Sequence, residues 1–224
     1  MAIREWPKSE RPREKLLDRG SEALSDAELI AVLLGSGVRG SSAVDLARKL
    51  ITRFGSIRGL LRADRSECLS QLGLGPARYA LLRAALELAR RHHLDRLRVG
   101  PLVSSPESTR EFLLAQLRDR PYEVFCCMHL NTRHQLIAFE ELFRGTIDGA
   151  SVHPREVVKA ALARNAAAVI FAHNHPSGVA EPSHADELIT QRLRDALALV
   201  DVRVLDHVIV GDGPCMSFAE RGLL

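Results

Sequence analysis

Aromatic residues are scarce in this chain: seven Phe, two Tyr and one Trp among 224 residues. A surface that stacks many unpaired bases needs more, so the count argues against that mode of nucleic-acid contact. The four cysteines, Cys68, Cys126, Cys127 and Cys215, form no CxxC pair. Neither a disulfide framework nor a zinc ribbon is expected. No run of about 18 apolar residues occurs, and the charged residues 1–13 lack the apolar stretch of a signal peptide. The expectation is a protein without membrane association that stays in the cytoplasm. There is no long-period repeat and no low-complexity tract. What is present, 46% hydrophobic and 26% charged residues, is the composition of a folded globular chain.

The net charge of +3 hides an uneven distribution. Residues 1–99 hold 19 Lys/Arg and 12 Asp/Glu, net +7, and residues 100–224 hold 12 and 16, net −4. The secondary-structure pattern changes at the same place. Residues 14–95 read as helices only, broken at Gly35-Ser36-Gly37, Phe54-Gly55-Ser56 and Gly73-Leu74-Gly75-Pro76. The last of these helices is expected to end at Arg90-Arg91-His92-His93, because cations suit a helix C-terminus. Gly100-Pro101 and Ser104-Ser105-Pro106 read as a linker. Beyond it, helices are expected over 108–117, 154–164 and 183–199, with strands over 124–128, 135–143, 167–172 and 202–210. This predicts an α+β or three-layer domain over 100–224 and a smaller all-α domain over 1–99.

Two features carry chemistry. In the basic half, the turn containing Gly73 and Gly75 precedes a helix start, with Arg78 and Arg83 following. Backbone N–H groups and the helix dipole there favour a phosphate oxygen. The stretch resembles a helix-hairpin-helix motif, which holds the DNA backbone without reading sequence. A weaker copy lies at Gly35-Ser36-Gly37. The plainer reading is an ordinary helix–helix turn that uses Gly for positive φ.

The second feature is Ile170-Phe171-Ala172-His173-Asn174-His175-Pro176-Ser177-Gly178, followed by Ser183-His184-Ala185-Asp186. An apolar strand runs into two histidines spaced i, i+2, which point to one face. Asp186 arrives one turn into the next helix. Two imidazoles and a carboxylate make a zinc ligand set with a fourth position left for water. Ser183-x-x-Asp186 is also a capping-box spacing. A carboxylate turned to a metal is expected to leave that box half made.

His173-x-His175-Pro176 with Ser183-x-x-Asp186 matches the JAMM motif of JAB1/MPN metalloproteases. Together with Val152-His153-Pro154-Arg155-Glu156, Leu205-Asp206-His207 and Ser217-Phe218-Ala219-Glu220-Arg221, the text resembles the bacterial RadC family over nearly the whole chain. The resemblance implies a helix-hairpin-helix-like domain over 1–99 and an MPN domain over 100–224. It implies a three-layer α/β/α, cytidine-deaminase-like fold holding one zinc. It makes His173, His175 and Asp186 the zinc ligands and Ser183 the serine that steadies the tetrahedral intermediate. A glutamate that opens the first strand would move protons. Glu123 fits that place, with Glu140 and Glu141 on the next strand as runners-up. Asp206 and His207, read as lying at the start of the last strand, are candidates to orient a ligand. The implied function is a zinc-dependent hydrolase, a metalloprotease or isopeptidase acting on a peptide or isopeptide substrate. The competing readings are a DNA-associated binding module and a metal-dependent nuclease.

Overall fold

Capping side chains set where the N-terminal helices begin. The computed structural model describes residues 3–99, 106–145 and 152–224. Of the expected linker, residues 100–105 lie outside these and Pro106 begins a helix. Two compact units result, Met1–Ala89 and Arg90–Leu224.

The first unit holds α1 (Pro12–Arg19), α2 (Asp26–Leu34), α3 (Ala43–Phe54), α4 (Ile57–Arg62), α5 (Arg65–Leu69) and the start of α6 (Pro76–Val99). Ser25, Ser42 and Asp64 each close a full capping box, with Glu28, Asp45 and Glu67 as partners. Each box satisfies N–H groups that a helix start leaves open. Ile30, Leu34, Val44, Ala47, Leu50, Leu60, Leu74 and Leu82 form the buried core.

α6 passes through the basic cluster at Arg90 and continues to Val99. The expected stop at residues 90–93 was wrong, because no helix breaker occurs before Gly100-Pro101. The division between the two compact units falls inside α6.

The Gly73 turn is a packing device. Gly73 has φ +85°, and a Cβ there would meet Leu46 Cδ2 and Val38 Cγ1 at 2.8 Å. Arg78 is not a free cation. Its guanidinium donates to the carbonyls of Gly73 (2.6 Å), Leu34 (3.2 Å), Ser36 (2.5 Å) and Gly37 (3.2 Å), and to Ser36 Oγ (2.8 Å). It thus ties the two glycine turns together. This corrects the expectation that Arg78 is free to meet a phosphate.

The second unit is built on a five-stranded sheet in the order β2-β1-β3-β4-β5. The strands are β1 (Val124–Leu130), β2 (Leu136–Arg144), β3 (Ala168–Asn174), β4 (Arg203–Val210) and β5 (Met216–Ser217). β1 runs antiparallel to β2 and β3, β3 parallel to β4, and β5 antiparallel to β4. The helices are α7 (Pro106–Leu117), α8 (Pro154–Ala163) and α9 (His184–Ala198). Val124, Cys126, Met128, Ile170 and Ala172 pack with Phe112, Leu113 and Leu117 of α7. Phe125, Cys127, Val169 and Phe171 point the other way, to Val157 and Ala161 of α8 and Leu193 and Leu197 of α9. Helices therefore cover both faces, which is the expected three-layer arrangement. β1 and β3 are buried along their whole length, as the apolar runs 124–128 and 168–172 within them require. β5, two residues long, went unpredicted because it is too short for any periodicity. Among the described residues no helix is long and apolar enough to cross a membrane.

Gly73→Ala is expected to destabilise the protein by about 1–3 kcal/mol, because the side chain would be strained by φ and overpacked against Leu46 and Val38. Gly75→Ala, with nothing within 4 Å of the new Cβ, is the matched control. Urea denaturation of both variants checks the contrast.

Candidate functional site

The site grows from the pairing of β1 with β3. Phe125 lies opposite His173 in the antiparallel register, and their rings stack with centroids 6.3 Å apart. Glu123 lies just beyond this paired stretch and interacts electrostatically with His175 and Asp186. Glu123 immediately precedes β1. Its carbonyl accepts from the N–H of Gly145 at 2.8 Å.

Asn174, between the two histidines, faces the opposite way and fixes this approach. Its Oδ1 accepts from the N–H of Val124 at 2.9 Å, and its Nδ2 donates to the carbonyl of Tyr122 at 3.1 Å. The side chain thus pins the residues on either side of Glu123.

His173 closes β3 one residue before its end and is 1% exposed. His175 stands just past the strand, where the chain turns: the N–H of Gly178 donates to the carbonyl of His175 at 2.9 Å. Gly178 has φ +84°, and a Cβ there would meet Asp212 Oδ2 at 2.7 Å. This turn brings the carbonyl of Val179 to 2.8 Å from His175 Nδ1. A carbonyl only accepts, so Nδ1 carries the proton and Nε2 presents a lone pair.

Asp186 joins from the first turn of α9. Its Oδ1 is 3.3 Å from His173 Nε2, and its Oδ2 is 3.7 Å from His175 Nε2. The two Nε2 atoms are 2.9 Å apart. The three groups lie within 4.8 Å of one another, the one such His/Cys/Asp/Glu cluster found among the described residues. Tetrahedral zinc with bonds of about 2.0–2.1 Å sets its donors about 3.3–3.4 Å apart. The separations at His173 Nε2, 2.9 Å to His175 Nε2 and 3.3 Å to Asp186 Oδ1, lie near that value, and His175 Nε2 presents a lone pair, so the donor set fits a small cation.

The capping box at the start of α9 is complete, not half made. Ser183 N–H and Oγ–H donate to Asp186 Oδ2 at 2.7 and 2.6 Å, and Ser183 Oγ accepts from Asp186 N–H at 3.2 Å. The expectation failed because a carboxylate has two oxygens. Oδ2 serves the cap while Oδ1 faces His173.

Electrostatics follow burial and pairing. Burial holds the His173 imidazolium down to a pKa of about 4 and His207 well below its usual value. His175 is raised by the Asp186 carboxylate beside it, against its own burial. Burial alone would raise Asp186, but His175, the charge at His173 and the Ser183 cap outweigh it, leaving the carboxyl well below the usual range. Burial raises Glu123; His175 pulls it back and Asp186 adds to the rise.

The other expected residues divide. His207 lies mid-strand in β4, and its Nε2 is 2.8 Å from His173 Nδ1. Asp206, its neighbour on the strand, accepts from Ser217 Oγ (2.7 Å) and the N–H of Ala219 (3.0 Å), which fastens β5 and the chain after it, and from the N–H of His207 (2.7 Å). Glu140 is held by Arg164 and lies 3.3 Å from His129, and Glu141 is held by Arg144. Both are held by arginines rather than by His173 or His175, and Glu123 is electrostatically coupled to His175 and Asp186. Sequence reading missed Asn174 and Thr190. Thr190 lies one turn after Asp186 on the helix stripe that faces the site, and its Oγ1 is 2.6 Å from His207 Nδ1. That i, i+4 spacing was the available signal.

A mixed sheet between helices, with a His-x-His pair at a strand end and an Asp on the following helix, defines a JAB/MPN-type domain. Comparison with known proteins agrees. Residues 103–223 match the RadC-like JAB domain, and residues 3–80 match the UPF0758 N-terminal domain. A UPF0758 protein of Nitrosococcus oceani is 65% identical over 224 residues, and one of Thioalkalivibrio sulfidiphilus is 66% identical over 224, each match covering both chains completely. One from Stutzerimonas stutzeri is 63% identical over 222 residues, 99% of each chain. The chain belongs to the RadC (UPF0758) family.

The charge pair within the site predicts a pH signature in chelator-treated protein. His175 is raised on folding, so its contribution to stability is present below the unfolded value of about 6.5 and is lost as pH rises through the folded one. Asp186 is lowered, so its contribution is present above about 3.9 and is lost as pH falls through its folded value. Their attraction therefore counts most between about pH 4 and 6.5. In Asp186→Asn, the His175 titration followed by NMR should move to lower pH. The stability deficit of this variant should be larger at pH 5.5 than at pH 8.

Proposed function

We propose that this protein is a zinc-dependent hydrolase of the JAMM type, a metallopeptidase or isopeptidase. The observation that carries the reading is the convergence of His173, His175 and Asp186, with Glu123 electrostatically coupled to His175 and Asp186. His173 and His175 would hold zinc through Nε2, and Asp186 through Oδ1. When bound, zinc supplies an activated water and a polarised scissile carbonyl. Glu123 takes the proton of the attacking water on its carboxylate and returns it to the leaving nitrogen. Burial pushes its pKa up from the usual carboxylate value, the direction that helps a carboxylate both take up and release a proton. Ser183 anchors Asp186 Oδ2; to steady an oxyanion its hydroxyl would have to leave that oxygen.

One zinc per chain is expected in purified protein, lost in His173→Ala and Asp186→Asn. Glu123→Gln should keep the zinc while lowering amide hydrolysis by about 10²–10⁴-fold, measured on a panel of peptide- and isopeptide-linked reporters. Substantially less than one zinc per wild-type chain sinks the reading. Cleavage of DNA instead of amides, lost in Asp186→Asn, would reassign the site to a nuclease.

A second reading concerns the helical unit and rests on a separate observation. A cleft of about 730 Å³ there is lined by Arg4, Arg11, Arg13 and Arg39 together with the turn 35–42. Its carboxylates are already engaged, Glu14 by Arg11 and Asp45 by the α3 cap and Arg48. Arg4, Arg13 and Arg39 form no ion pair among the described residues. This favours a phosphate of a nucleic-acid backbone in the cleft, beside the turn that Arg78 braces through Ser36 and Gly37. The full chain should bind duplex DNA without sequence preference, more weakly as salt rises. Replacing Arg4, Arg13 and Arg39 together by Ala should cut affinity at least about tenfold and flatten the salt dependence. Unchanged binding would dismiss the cleft.

A further inference from the structure

The partners of His173 do not end at His207. Thr190 Oγ1 lies 2.6 Å from His207 Nδ1 and 2.5 Å from the carbonyl oxygen of Asp186. Thr190 is 1% exposed and His207 fully buried, so no water substitutes for either contact. Phe218 stacks on the His207 ring, with centroids 4.8 Å apart and planes 21° apart, which fixes the ring's orientation.

Counting protons along this chain gives one answer. A carbonyl oxygen has none to give, so Thr190 must spend its single hydroxyl proton on Asp186 O. Otherwise two oxygen lone pairs would face each other at 2.5 Å. Toward His207, Thr190 then only accepts, and His207 Nδ1 carries the proton. His207 Nε2 is left with a lone pair, so the proton of the 2.8 Å contact belongs to His173 Nδ1. His173 Nε2 is therefore bare. It faces His175 Nε2, bared in the same way by the carbonyl of Val179. Every contact in the series holds one proton except the 2.9 Å approach of these two nitrogens, which is where a cation belongs.

We infer that Thr190, acting through His207, is a positioning residue that locks His173 in the Nδ1–H tautomer and so presents its Nε2 lone pair to the metal. The inference rests on the proposed zinc site but makes a separate claim. It assigns metal readiness to a hydroxyl that touches no ligand atom of the site. The helical turn that delivers Asp186 delivers this control as well, because Thr190 is four residues on. Thr190 also bonds the backbone carbonyl of Asp186, so the register of α9 and the tautomer of His173 are set together.

The test compares wild type, Thr190→Val and Thr190→Ser. Two readouts are used: imidazole ¹⁵N chemical shifts in chelator-treated protein, and zinc affinity by competition with a chromogenic chelator. In metal-free wild type, His173 and His207 are expected as Nδ1–H tautomers. Val keeps the shape of Thr but gives His207 Nδ1–H no acceptor. The His207 proton should then move to Nε2 and drive the His173 proton to its own Nε2, facing the site. Zinc affinity should fall about 10–100-fold, the range for loss of a supporting partner behind a metal ligand, with the circular dichroism spectrum retained. Ser should restore both readouts. An Nε2–H tautomer for His173 in metal-free wild type overturns the inference. So does a Val variant whose tautomers and zinc affinity match wild type. If wild type takes up no zinc, the hydrolase reading falls, and the tautomer measurement still decides the relay.

Discussion

A buried imidazole must find a partner for each ring nitrogen, since an orphaned polar atom in the interior costs about 1–3 kcal/mol. His173, 1% exposed at the end of β3, is under that constraint, and much of the second unit answers to it. The parallel pairing of β3 with β4 puts His207 behind one nitrogen. α9 packs on the same face and puts Thr190 behind His207. The other nitrogen opens toward His175 and Asp186. The sheet order, the helix register and the side-chain proton series are thus parts of one solution. Shifting β4 by one residue would turn His207 to the α7 face and leave His173 without its partner.

The sequence made the local half of this legible. Strand alternation gave the common face of His173 and His175, and Pro176 with Gly178 gave the turn after them. Ser183-x-x-Asp186 gave the start of α9. What stayed hidden depends on pairing across the sheet. Nothing within 202–210 says which β4 residue will stand behind which β3 residue, so Asp206 and His207 were indistinguishable as supports. The strand sends one to the chain after β5 and the other to His173. Asn174 was read only as the middle of a His-x-His motif. Its work lies on the other face, where its amide stitches the entry of β1 and so places Glu123.

The charge pattern was legible as a sum and misleading as a map. A net +7 over residues 1–99 counts Arg78 with the others, yet that guanidinium is consumed by four backbone carbonyls and Ser36. Helix ends and tight turns leave carbonyls unsatisfied, and a planar five-donor fork meets several at once. An arginine beside two glycine turns is therefore as readily a structural clamp as a phosphate contact. Which cations remain for a partner depends on which carbonyls and carboxylates the fold has already paired. Arg4, Arg13 and Arg39 are among those left, in the cleft lined by the turn 35–42.

Asp186 shows why a motif can serve stability and chemistry with the same atoms. A capping box needs an acceptor three residues after the N-cap, and the site needs a carboxylate at the N-terminal end of α9. One residue meets both because its oxygens diverge. Oδ2 is fixed by two donors from Ser183, and that fixation aims Oδ1 at His173. A glutamate at this position would close the box through a longer, freer arm and lose the aim. An asparagine could offer one oxygen but no negative charge to either imidazole. The helix start is thus the device that holds the third donor still, and a rigid donor set binds a small cation with less ordering cost than a mobile one. Stability of the helix and readiness of the site are gained or lost together.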